Sequence, residues 1–112
     1  MTPLRVLIVD DEPPACARLR ELLDDCRAEV PNAIVGEARN GIAALELLAS
    51  STADVVLVDI HMPGMSGVEF ARHIQGLEAP PAVIFVTAHD RYAVEAFELN
   101  AVDYLLKPVR AS

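Results

Sequence analysis

The sequence predicts an α/β domain in which helices cover both faces of a parallel sheet. Five short runs are apolar at nearly every position, and segments with helical spacing of apolar residues alternate with them. Acidic residues close the first and third runs. Continuously apolar strands separated by helices imply a sheet buried on both sides and joined by right-handed crossovers.

The first strand is Leu4 to Asp10, and Pro13-Pro14 follow where the first turn of a helix tolerates proline. Ala15, Leu19, Leu22, Leu23 and Cys26 then recur at helical spacing. Ala33 to Ala38 is a second, shorter strand. Asn40 is placed to cap a helix with Ala44, Leu45 and Leu48 on its apolar face, and Ser51-Thr52-Ala53 leads into the third strand, Asp54 to Asp59. Ser66-Gly67-Val68-Glu69 has capping-box spacing for a helix with Phe70, Ala71 and Ile74 inward, and Pro80-Pro81 ends that segment. Ala82 to Thr87 is the fourth strand, Asp90 to Leu99 a helix stopped near Asn100, and Val102 to Leu106 the fifth strand, ending at Lys107-Pro108.

A chain of 112 residues with 53% hydrophobic content supports one domain with a real core. Nine basic against seventeen acidic residues give a formal net charge of −8, which excludes nucleic-acid binding by this segment alone. The two cysteines, Cys16 and Cys26, match no metal or disulfide framework and read as buried thiols in a reducing compartment. The longest apolar stretch, Ala79 to Ala88, contains two prolines and is too short to span a bilayer, and no signal-peptide core precedes the first strand. These features point to a cytoplasmic domain with no membrane contact.

In such sheets ligands bind beyond the carboxyl ends of the strands, near the switch in strand order. Asp10, Asp11, Asp59, Thr87 and Lys107 all fall at strand carboxyl ends, so four segments direct polar groups into one crevice. Bare carboxylates about 4 Å apart disfavour each other by roughly 4 kcal/mol per pair at an effective dielectric of about 20. Either a shared proton or a hard divalent cation must balance them, and an all-oxygen donor set suits Mg²⁺ better than zinc. Taken singly, Asp11 or Glu12 reads as a helix cap, Asp59 as a strand terminator, Thr87 as a β-branched strand residue and Lys107 as a solvated charge. Their common placement at strand ends favours a site.

The acidic pair Asp10-Asp11, Asp59 followed by Met62-Pro63-Gly64, Thr87-Ala88, and Tyr104 three residues before Lys107-Pro108 resemble the motifs of phosphoacceptor receiver domains of bacterial two-component response regulators. The resemblance runs from Leu4 to about Val109, a single domain over 4–109. It implies a flavodoxin-like, doubly wound, five-stranded parallel sheet in the order 2-1-3-4-5. It also implies that Asp59 accepts a phosphoryl group from a sensor histidine kinase, in a domain that takes part in its own phosphorylation and dephosphorylation and is not an enzyme in the usual sense. Asp11, Asp59 and the backbone carbonyl of His61 would hold Mg²⁺, with Asp10 acting mainly through water, and Lys107 would bind the phosphoryl oxygens. Thr87 and Tyr104 would act as the switch pair that biases a dimerisation surface, making a homodimer the expected assembly.

The string from Thr87 to Phe97, with Asp103-Tyr104-Leu105-Leu106-Lys107-Pro108 after it, resembles receivers joined to a LytTR-type DNA-binding domain. DNA binding would then belong to a C-terminal output domain absent from this sequence. By the same resemblance, Ala15, Cys16, Leu19 and Pro108 are candidates for kinase contact, Lys107-Pro108 is a cis peptide, and the usual fifth helix is lacking, which would leave one sheet face undercovered.

Three other readings compete. A haloacid-dehalogenase-like phosphatase needs an acid/base carboxylate two residues after the nucleophile, where this chain has His61. A flavodoxin-like or nucleotide-binding module needs a Gly-rich or Ser/Thr-rich loop after the first strand, whereas Asp10-Asp11-Glu12-Pro13-Pro14 repels anions. A receiver fold serving as an interaction module independent of phosphorylation is the remaining alternative.

Overall fold

Residues 2–60, 62–87 and 103–106 are described by a computed structural model, with Thr87 and residues 103–106 described in their backbone alone. The elements are β1 (Leu4–Val9), α1 (Pro13–Asp25), β2 (Asn32–Ala38), α2 (Gly41–Ser50), β3 (Val55–Val58), α3 (Gly67–Gln75), β4 (Ala82–Thr87) and β5 (Asp103–Leu106). The helix expected over 90–99, and the expectations for His61, Lys107, Pro108 and the chain after Leu106, lie outside the described residues.

β1 pairs in parallel with β2 on one side and with β3 on the other, and β4 pairs with β3. The backbone of Asp103–Leu106 lies parallel to β4, with Ile84 opposite Asp103 and Thr87 opposite Leu106. The chain therefore steps from β2 across β1 to β3, which makes the β1/β3 boundary the point where strand order reverses. That boundary is where a ligand crevice opens in such a sheet.

Alternation along each strand divides the core in two. Leu7, Val9, Val56, Val58 and Phe85 face a cluster completed by Ala44 of α2 and by Val68, Phe70, Ala71 and Ile74 of α3. Val6, Ile8, Val55, Leu57 and Val86 face the other way, onto Cys16, Leu19 and Leu22 of α1. Val9, Val56 and Val58 are fully buried, which explains why the strands read as unbroken apolar runs.

Local chemistry fixes the helix starts. Pro13 and Pro14 occupy the first helical positions of α1. The Asn40 side chain accepts the Ala43 N–H at 2.8 Å, and Ser66 and Glu69 form a reciprocal capping box ahead of α3. In the loop before α3, Gly64 takes φ +78°, a left-handed conformation that costs glycine little.

β3 is shorter at both ends than predicted. Asp54 leaves the strand to accept from the Arg5 backbone N–H at 2.8 Å and from its guanidinium at 3.0 and 3.2 Å. The hydrogen bonds from Arg5 hold the Asp54 carboxyl below its ordinary pKa. A depressed carboxyl stabilises the fold above its unfolded pKa of about 3.9, and this contribution is lost as pH falls through the lower folded value. Asp54→Asn should therefore lower the Tm at neutral pH, with the gap to wild type closing in acid, as thermal melts across pH would record.

Candidate functional site

Asp10 and Asp59 are the residues that follow the last paired positions of two neighbouring strands, since Val9 lies opposite Val58. The Asp59 N–H donates to the Val9 carbonyl at 2.9 Å and the Asp10 N–H to the Ala38 carbonyl at 3.0 Å, so both acids leave the sheet at the same edge. Both are almost fully buried, at 1% and 4% exposure. Carboxylate oxygens of Asp10, Asp11, Glu12 and Asp59 all lie within 4.8 Å of one another, with Asp11 half-buried and Glu12 exposed.

At that spacing each ionised pair costs roughly 3 to 4 kcal/mol at an effective dielectric of about 20. Four hard oxygen donors gathered at one point, two of them buried, match the coordination chemistry of a divalent cation such as Mg²⁺ and lack the nitrogen or sulfur donors that zinc favours.

The structure brings Asp10, Asp11 and Asp59 together. It adds Glu12, which the sequence places in the acidic triplet at the end of the first strand but not among the expected metal ligands. Glu12 does occupy the N-cap position of α1, but its side chain makes no cap hydrogen bond. The signal for it was the unbroken acidic triplet, since a strand end that aims two carboxylates into a crevice brings the third within reach.

Hydrogen bonds hold Asp10 at its backbone and at one carboxylate oxygen, while the buried Oδ2 makes none among the described residues. Its Oδ1 accepts the Glu12 N–H at 3.0 Å, and its backbone carbonyl accepts the Cys16 S–H at 3.5 Å. Cys16 is itself buried. Burial, reinforced by the charges of Asp10 and Glu37, pushes its thiol pKa up, so the protonated donor persists at neutral pH. The burial of Cys16 and Leu19 corrects their reading as kinase-contact residues, because both side chains point into the sheet.

Asp59 is fixed from the other side by α3. The Gly67 N–H donates to the Ile60 carbonyl at 2.8 Å, and a Cβ at Gly67 would stand 2.1 Å from the Asp59 carbonyl oxygen and 2.8 Å from the Ile60 Cα. The absence of a side chain at Gly67 is what lets the helix start press against the loop carrying Asp59. Met62 in the same loop is buried in the core, and Met65 packs against it. A separate open groove lined by Arg39, Asn40, Gly41, Ile42, Pro63, Gly64 and Met65 contains no carboxylate and so lacks the donors for a cation. No helix among the described residues is long and apolar enough to cross a membrane.

The fold and this strand-end acid cluster define a receiver. The chain matches the family model of the response regulator receiver domain over residues 6–112 and belongs to that family. It is 51% identical over 111 residues to the positive alginate biosynthesis regulatory protein of Pseudomonas aeruginosa, covering 96% of this chain and 43% of that protein. It is 43% identical over 105 residues to the transcriptional regulatory protein LytR of Staphylococcus aureus, covering 94% of this chain and 42% of LytR. The chain thus spans about two fifths of the length of these relatives. Among solved structures it is similar to the response regulatory domain of mrkE from Klebsiella pneumoniae, with TM-score 0.86 and 36% identity over 96% of this chain and 86% of the other.

Proposed function

We propose that this receiver domain takes a phosphoryl group onto Asp59 from the phosphohistidine of a sensor histidine kinase. The observation that carries this reading is the pair of buried carboxylates, Asp10 and Asp59, on adjacent strand ends within reach of Asp11 and Glu12. An Asp59 carboxylate oxygen would attack phosphorus in line as the bond to the histidine nitrogen breaks, leaving an acyl phosphate. Asp11, Asp59 and the His61 backbone carbonyl would hold Mg²⁺, with Asp10 acting through water and orienting the loop. When bound, the cation supplies positive charge against the attacking carboxylate and the phosphoryl oxygens. The Lys107 amine would contact those oxygens. The Thr87 hydroxyl would move toward them and Tyr104 turn in behind it, biasing the surface along the last strand.

The pairing of Asp103–Leu106 with β4 supports the flavodoxin-like, five-stranded order 2-1-3-4-5 for the complete domain. The likeness to transcriptional regulators supports a cytoplasmic parent in which the switch controls dimerisation and, through a LytTR-type output domain, DNA binding. Addition of Mg²⁺ and the phosphoryl mimic beryllofluoride tests the switch. Amide signals should shift in the acidic loop and also along β4 and β5, with sedimentation moving toward dimer. Shifts confined to the acidic loop would favour an interaction module independent of phosphorylation.

A further inference from the structure

Besides its strand and its carboxylate, Asp10 has a third tether, and it reaches the peptide group between Asp10 and Asp11. Because a peptide unit is planar, a hydrogen bond to the Asp10 carbonyl also fixes the direction of the Asp11 N–H and the point from which the Asp11 chain departs. The donor to that carbonyl is the Cys16 thiol, one turn inside α1, and its side chain is 1% exposed. It belongs to the buried cluster that includes Val6, Ile8 and Leu19.

We propose that Cys16 is a positioning residue for the acidic loop, its S–H holding the Asp10–Asp11 peptide plane so that the Asp11 carboxylate meets Asp59. This rests on the Mg²⁺-dependent reading above, but the tether belongs to the metal-free chain and is measurable there. Two further ties make the thiol the adjustable element. The strand bond to Ala38 and the carboxylate bond from Glu12 hold the Asp10 N–H and side chain, and the Cys16 thiol donates to the Asp10 carbonyl. Partners one shell out from a metal ligand orient it, and their loss weakens metal binding by about tenfold to a hundredfold.

Cys16→Ala and Cys16→Ser separate positioning from packing. Serine restores an O–H donor but places a more polar group in an apolar cluster, so it should melt lower than alanine. If Cys16 only packs, Mg²⁺ affinity by calorimetry should follow stability, with serine the poorer. If it positions the loop, the order inverts: alanine weakens Mg²⁺ binding by on the order of tenfold while serine stays within about twofold of wild type. In the metal-free protein, the Asp11 and Glu12 amides should exchange faster with solvent in Cys16→Ala than in either wild type or Cys16→Ser. Equal exchange and equal Mg²⁺ affinity in the two variants would overturn the proposal. A wild-type protein that binds no Mg²⁺ would remove the functional reading, and the exchange comparison would still decide the tether.

Discussion

Gly67→Ala should cripple this domain although the substitution adds one methyl group at a helix start. The new Cβ would lie 2.1 Å from the carbonyl oxygen of Asp59 and 2.8 Å from the Ile60 Cα, and both obstacles are backbone that cannot rotate aside. Relief requires α3 to retreat, which breaks the Gly67 N–H bond to Ile60 and loosens Val68, Phe70 and Ile74 in the core. Overpacking of a rigid site costs about 1 to 3 kcal/mol, and a backbone collision belongs at the upper end. For a domain of this size that corresponds to a fall in Tm of roughly 10 °C or more. Gly64→Ala is the control, because its Cβ meets nothing and carries only the left-handed backbone cost of about 1 to 2 kcal/mol. Thermal melts should rank Gly67→Ala well below Gly64→Ala. The reverse order would mean that the approach of α3 to Asp59 does not constrain the loop.

Asp11→Asn should abolish Mg²⁺ binding and phosphorylation while leaving the metal-free fold as stable as wild type or more so. The change removes one charge from a set of carboxylates within 4.8 Å of one another, where each ionised pair opposes folding by roughly 3 to 4 kcal/mol at an effective dielectric of about 20. The amide keeps the shape of the side chain and Asp11 is only half-buried, so little packing is lost. Melts with and without Mg²⁺ check both halves: wild type should gain Tm with the cation and the variant should not. A variant melting well below wild type without metal would contradict the repulsion on which the cation requirement rests.

The acid cluster was legible because carboxylates close two separate apolar runs, a coincidence that the role of each acid as a cap or strand terminator does not explain. Two such runs in parallel must place Asp10 and Asp59 at the same sheet edge. The capping roles of Asn40, Ser66 and Glu69 were legible for the same local reason, since each partner lies within three residues. Tertiary contacts were not. Nothing near Gly67 in the sequence announces that the Asp59 carbonyl occupies the space where its side chain would be. Asp54 reads as the first residue of an apolar strand, and only the fold brings Arg5 from 49 residues away to draw it out. The helical spacing of Leu19 and the reading of Cys16 as a buried thiol agree with the fold, and only their candidacy as kinase contacts, taken from the resemblance, fails, because both face the sheet.

The central claim is that Asp59 is the phosphoacceptor. Incubation with Mg²⁺ and acetyl phosphate, followed by intact mass measurement, tests it most directly. The account predicts a mass gain of one phosphoryl group that requires Mg²⁺, disappears in Asp59→Asn and is released by mild base as an acyl phosphate would be. A gain that persists in Asp59→Asn, or no gain in a folded wild-type protein that binds Mg²⁺, would contradict it.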